Sequence, residues 1–297
     1  MVLTALAALA GCQPDFGQPL SLVTGTRILA VRGQPAEAAP GALVSFDVLA
    51  ASPDGTIAAP PLSWALCDQP KPLTDNNVVA DACLGALPAI GAPAPTTITL
   101  VPDDACRLFG PDTPPSTPGQ PALRPRDPDA TGGYYQPIRA TWTGTVAFGL
   151  ERLRCNLAGA SLAIAEEFQM RYTSNQNPQL TPLLAADEGQ PVALDALPAG
   201  RKITFTVGWT AASPESYPVL DPASQTLVDH REAMRVSWFA TSGAFAEERT
   251  GRDETDPALT TSDDWTAPAN PGPAHLWVVL RDSRGGVDFA SYPLTVK

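Results

Sequence analysis

The 297-residue chain predicts a mainly β protein in which one strand-rich domain type occurs twice in tandem. Three observations carry that expectation. Proline and glycine are plentiful, at 33 and 23 residues, which suits short strands joined by turns. Apolar and polar residues alternate at period two in two separate stretches, as a strand with one buried face requires. The motifs that follow those stretches also recur in the same order, the mark of a duplicated unit.

The chain opens with an apolar run, Val2 to Ala10, that ends in Leu9-Ala10-Gly11-Cys12. At about ten residues the run is half of what a membrane span needs. An aliphatic residue, two small ones and a cysteine resemble the lipobox of bacterial signal peptidase II. That resemblance implies a signal peptide over residues 1–11 and acylated Cys12 as the first mature residue, with its acyl chains, palmitate among them, holding the protein to a membrane. Met1-Val2-Leu3-Thr4 departs from the pattern, because signal peptides begin with Lys or Arg. Residues 12–25 are expected to be the anchor and a tether, since Pro14, Gly17 and Pro19 interrupt any period. Gln13 after the cysteine, where aspartate would retain a lipoprotein at the inner membrane, points to the outer membrane, on its periplasmic face or the cell surface.

The first domain is expected over residues 26–176. Arg27-Ile28-Leu29-Ala30-Val31 reads as its first strand. Ala39-Pro40-Gly41 then leads into Val44, Phe46 and Val48, which alternate with Ser45 and Asp47. Ala51-Ser52-Pro53-Asp54-Gly55 is turn chemistry, and Leu62-Ser63-Trp64-Ala65-Leu66-Cys67 is the next strand. A proline-rich insertion, Pro114-Pro115-Ser116-Thr117-Pro118-Gly119, should be an exposed loop. Strands are expected around Ile138 to Trp142 and Val146 to Leu153. Leu157, Ile164, Phe168 and Tyr172 then mark one amphipathic helix, expected to lie against the first sandwich. Asn175-Gln176-Asn177-Pro178 ends the helix and divides the domains, because the residue before proline avoids helical geometry.

The second domain, residues 177–297, repeats the order. Ala199-Gly200 precedes Ile203, Phe205, Val207 and Trp209 at period two; Ala212-Ser213-Pro214-Glu215 is the turn, and Val236-Ser237-Trp238-Phe239-Ala240 the tryptophan strand. Leu276, Val278 and Leu280, then Asp282-Ser283-Arg284-Gly285-Gly286 and Val287 to Val296, read as a closing hairpin. With Trp64 and Trp238 on equivalent strands, the two halves resemble immunoglobulin-like or PKD-type sandwiches of bacteria, which implies a tryptophan between two sheets in each. The chain also resembles lipoproteins of GC-rich predatory bacteria such as myxobacteria, through Arg27 to Val31, Ala39-Pro40-Gly41, Leu62 to Cys67 and Asp282 to Gly286. That likeness implies a cell-envelope location and no known activity.

With Cys12 set aside for lipid, Cys67, Cys83, Cys106 and Cys155 form an even set, which in an exported chain reads as two disulfides. Of three pairings, Cys67 with Cys83 and Cys106 with Cys155 is preferred, because the first closes a short loop after a strand. A net charge of −12 speaks against nucleic acid and against a polybasic contact with anionic lipid.

Little in the chain suggests catalysis. It has two histidines, and a triad on His230 and Asp229 lacks a nucleophile elbow. Asp127 to Gly133 begins like a calcium loop, but Ile138 occupies the twelfth position, where a glutamate should bind. Asp253-Glu254-Thr255-Asp256 with Asp263-Asp264 is the other acidic cluster, and solvated loops are the expectation for both. No metal or cofactor is expected. Tyr134, Tyr135 and Trp265, placed in or beside loops, are the candidate ligand-binding aromatics, suited to stacking on sugars. The function expected is therefore a non-catalytic adhesive, scaffolding or binding module with a protein or glycan partner. A carbohydrate-binding lipoprotein is the alternative, and a hydrolase the third.

Overall fold

The computed structural model describes residues 19–69, 79–108 and 130–297; Cys12, the first part of the tether, the proline-rich insertion and the start of the calcium-like loop lie outside them. In the first half, β1 (Arg27–Gln34), β2 (Glu37–Ala38), β3 (Leu43–Ser52), β4 (Gly55–Thr56), β5 (Ser63–Leu66), β6 (Thr97–Leu100), β7 (Gly133–Trp142) and β8 (Thr145–Arg154) form two sheets. One has the order β1-β3-β4 with β6 also on β3, the other β2-β8-β7-β5. Val44, Phe46, Trp64, Ile138 and Leu153 fill the space between them. The period-two stretch is thus a strand with one face in this core.

The second half holds β9 (Leu184–Asp187), β10 (Gln190–Pro191), β11 (Lys202–Gly208), β12 (Ser216–Asp221), β13 (Thr226–Arg231), β14 (Met234–Ala240), β15 (Ala244–Phe245), β16 (Arg249–Arg252), β17 (Thr260–Thr266), β18 (Gly272–Asp282) and β19 (Val287–Val296). Sheets β10-β9-β11-β17-β15 and β16-β14-β18-β19 face each other across Phe205, Trp209, Trp238, Trp265 and Leu276, while β12 and β13 form a separate hairpin. Trp64 and Trp238 are both buried, and their indole nitrogens donate to Ala94 O and Thr250 Oγ1, each at 2.9 Å. The motifs diverge after their shared Ala-Ser-Pro: the first turn makes the tight β3–β4 hairpin, and the second leads into β12.

Among the described residues, two short α-helices, α1 (Ala105–Leu108) and α2 (Leu162–Arg171), and a 3-10 turn at Asp81–Leu84 accompany the strands. Helix α2 starts later than its apolar pattern suggests. Ser161 caps it by accepting a hydrogen bond from the Ile164 amide, which leaves Leu157 in the preceding loop. Its position also differs from expectation. Phe168 packs with Leu157 and with Leu220 of β12, and Arg171 bonds Asp229 of β13 at 2.6 Å, so the helix bridges to the second half instead of lying on the first sandwich alone. Gly132, at φ 72°, permits this: a Cβ there would stand 2.7 Å from the Phe168 ring.

A third core lies between the sandwiches. Leu29, Leu49 and Ala51 meet Val23, Trp277, Val279 and Val287. A register shift between Ile28 and Ala30 turns part of β1 toward this side. On β18, Leu276, Val278 and Leu280 enter the second sandwich while Trp277 and Val279 enter the junction, so that strand is buried on both faces. Burying a tryptophan removes some 150–250 Å² from water, which at about 25 cal/mol/Å² gives Trp277 an upper bound of about 4–6 kcal/mol. The expected tether is also shorter than residues 12–25. Ser21 and Val23 are buried, and this segment runs beside β14, with Val23 N to Ala240 O at 2.8 Å and Ala240 N to Ser21 O at 2.9 Å.

Candidate functional site at the junction of the sandwiches

The polar residues of the junction are unusual for a protein interior. Arg152, Arg284, Glu37, Glu151, Glu232, Asp282 and Asn175 are all buried, which charged groups tolerate only when paired. Arg284 is the hub. Its Nε donates to Glu232 at 2.6 Å, Nη2 to Glu215 at 2.7 Å, and Nη1 to the Thr173 carbonyl at 2.9 Å, over the Tyr217 ring at 4.6 Å. Tyr172 donates its hydroxyl to Glu37, 2.7 Å to Oε2, and accepts from both Arg152 and Arg284 at 3.2 Å. Burial, with the charge of Glu37 adding to it, pushes the Tyr172 phenol up to about 12 and keeps this donor protonated. Asp282 accepts the Arg284 and Gly286 amides at 2.8 Å, which folds the turn so that Arg284 points inward.

The expected domain boundary is built into this network. Asn175 N donates to Glu37 at 2.8 Å, while Asn177 donates to Gly33 O at 2.7 Å and accepts from Val287 N at 2.8 Å. Arg32 adds a bridge from Asp47 of its own sheet, at 2.7 Å, to Asp288 of β19, at 3.0 Å.

Of the clefts that open on the junction among the described residues, two stand out by their lining. The first, about 450 Å³, lies between the edges of β1 and β8 and the β18–β19 turn, lined by Val31, Phe148, Leu150 and Glu151 among others. Among the described residues Glu151 Oε1 has no hydrogen-bond partner, nor has Asp282 Oδ2. Burial first, and then the charge of Glu37, push the Glu151 carboxyl up to about 8, so at neutral pH it is mostly the neutral acid. Burial raises Glu232 and Asp282 as well, against the pull of Arg284. Loss of water on burial is the leading cause for all three, and neighbouring carboxylates add to it for Glu151 and Glu232. The second cleft, about 800 Å³, lies between the outer face of β14 and β18 and the segment Leu20 to Leu29.

The residues singled out in the sequence fall elsewhere or serve structure. Trp265 is fully buried on β17, packed on Phe205 at 5.6 Å with its indole nitrogen bonded to Ser242 O at 3.0 Å, so it is not a loop ring open to sugars. The expectation failed because a tryptophan next to acidic residues looks exposed, whereas Asp264 and Trp265 point to opposite faces of a strand. Tyr134 and Tyr135 are both half-buried on β7; Tyr134 packs on the first core, and Tyr135 accepts from Arg152 at 3.3 Å. Cys67–Cys83 and Cys106–Cys155 are the disulfides, as preferred. His230 bonds Glu254 at 2.8 Å while its neighbour Asp229 turns to Arg171, so the two do not assemble as a pair. Asp253 accepts the Thr255 and Asp256 amides, Asp263 those of Glu247 and Glu248, and Asp264 the Thr204 hydroxyl. Among the described residues no three acidic, His or Cys side chains converge as a metal would need. The network on Arg284 was not foreseen, and its one signal was an arginine enclosed by glycines and an aspartate in a turn.

No known protein family matches the chain, and no curated protein does either. Among solved structures, a lipoprotein from Bacteroides thetaiotaomicron matches at 15% identity over 38% of this chain and 79% of its own, with a TM-score of 0.22. The Yersinia pseudotuberculosis adhesin InvE matches at 10% identity over 90% of this chain and 58% of its own, with a TM-score of 0.25. Domains 4 and 5 of the S-layer protein SbsC match at 6% identity over 91% of this chain and 98% of theirs, with a TM-score of 0.23. At such scores the likenesses assign neither activity nor partner. No helix among the described residues is long and apolar enough to cross a membrane.

Proposed function

We propose that this protein is a non-catalytic, lipid-anchored module of the bacterial envelope, with two sandwiches fused into a rigid platform that holds a protein or glycan partner. The junction carries this reading. A third core and a buried ionic network fix the relative position of the sandwiches, which a scaffold needs and a flexible tandem array lacks. Two disulfides support an exported, oxidising setting. Leu9-Ala10-Gly11-Cys12 supports lipid attachment at Cys12 and, with Gln13, the outer membrane. With Trp265 buried and Tyr135 held by Arg152, the sugar-stacking alternative has lost two of its three rings. Metabolic labelling with a palmitate analogue tests the anchor: the parent should take label and Cys12→Ala should not, and equal labelling of the two would refute it.

A further inference from the structure

The second cleft has a charge pattern opposite to that of the chain. The protein carries 31 acidic and 19 basic residues, yet Arg27, Arg235, Arg249 and Arg281 line this one space with a single carboxylate, that of Glu248. Strand register explains why they meet. Arg235 on β14 lies directly opposite Arg281 on β18, and Arg249 on β16 lies opposite Ser237, two residues along β14. Val236, Trp238 and Leu280 fill the second core, so the alternation of each strand turns the arginines to the other face. Arg27 approaches from the start of β1, its guanidinium 5.4 Å from the Phe239 ring.

This arrangement is unfavourable for a fold alone, because like charges directly opposite across strands destabilise a sheet. No direct ion pair within the described residues neutralises them. Arg27 donates to Leu20 O at 2.8 Å and Arg281 to Leu29 O at 3.2 Å, both neutral acceptors. For the described residues, none of the four has a carboxylate within ion-pair distance. Arg235 acts on Asp253 only through space, and Glu248 Oε1 accepts from Ser21 Oγ at 2.7 Å. Burial, and after it the charge of Arg249, hold the Arg281 guanidinium below its usual value.

We propose that this cleft binds a phosphate-bearing anion, seated against Arg235, Arg249 and Arg281 and closed over by Arg27. Guanidinium forks match tetrahedral oxyanions through paired, charge-assisted hydrogen bonds. A phosphate group brings more negative charge than one carboxylate, which would leave most of the cationic excess standing. The phosphate has two sources, a soluble ligand or a lipid headgroup. Leu20 and Ser21 line the same cleft, and the eight-residue step from Cys12 spans at most roughly 28 Å. The headgroup source therefore rests on the anchored reading; the phosphate site does not.

Calorimetric titration of the full chain in nonionic detergent with inorganic pyrophosphate, at low ionic strength, tests the site. Saturable binding is expected, weakened roughly tenfold by Arg235→Gln and by Arg249→Gln, and unchanged by Arg201→Gln, which lies outside the cleft and pairs with Asp187. Arg249 is exposed, so its substitution leaves the core untouched and a loss there reports the site. Cys12→Ala protein should bind pyrophosphate like the parent, whatever the fate of the anchor. Competition by phosphatidylcholine vesicles containing phosphatidylglycerol, but not by pure phosphatidylcholine, supports the site with a headgroup as its source; binding without competition supports it with a soluble phosphate ligand. Absence of saturable binding in the parent, or equal affinity in the parent and an Arg235→Gln, Arg249→Gln double variant, would overturn the proposal.

Discussion

Glu151 makes stability depend on pH in the direction opposite to most carboxylates. Its carboxyl moves from 4.5 to about 8 on folding, so between those values the folded chain keeps a proton that the unfolded chain releases. Stability from this group is therefore complete below about pH 4.5 and declines as pH rises toward 8, by up to about 1.4 kcal/mol per pH unit. Glu151→Gln keeps the shape and removes the titration. Urea denaturation at pH 5 and pH 8 should show the parent losing stability relative to the variant. Parallel changes in both proteins would show that another group titrates. None of this was legible in the sequence, where Val146 to Leu153 reads only as a strand. Its burial comes from β1 and the β18–β19 turn closing over β8, contacts between residues far apart in the chain.

At the scale of elements, the sequence was most informative where burial is one-sided. Val44 and Phe46 on β3, and Ile203, Phe205 and Val207 on β11, fall where their alternation puts them, because each faces one core. On β18 the even positions showed the same period, but Trp277 and Val279 were hidden in the pattern as the other face. Period two cannot distinguish a face covered by water from one covered by a second sandwich. Turn residues had a similar limit. Asp282 to Gly286 was readable as a hairpin turn, yet the arginine in its middle is the hub of a buried network. Arg284→Met should lower the unfolding free energy by about 3–5 kcal/mol, since it strands Glu232 and Glu215 without a counter-charge. Chemical denaturation measures it. A loss under 1 kcal/mol would mean that these carboxyls neutralise by taking protons instead.

At the scale of the molecule, the junction couples the cores of the two sandwiches. Hydrophobic contact through Trp277, ionic contact from Arg284 to Glu37 at 3.9 Å and from Arg32 to Asp288, and the clasp at Asn175 and Asn177 all cross it. Differential scanning calorimetry should therefore record one transition with equal calorimetric and van't Hoff enthalpies. Trp277→Ala, which removes about 3–5 kcal/mol from the junction core, should separate it into two. Two transitions in the parent would show that the sandwiches unfold independently.

The segment at Ser21 to Val23 determines how the molecule responds to force. Its backbone bonds to Ala240 lie across a strand that would be pulled along its own axis by tension from the N-terminal side. Those bonds must then yield together, in shear, before tension reaches β1. On the anchored reading, tension applied at Cys12 would be met first by the second sandwich, although Cys12 stands at the opposite end of the chain.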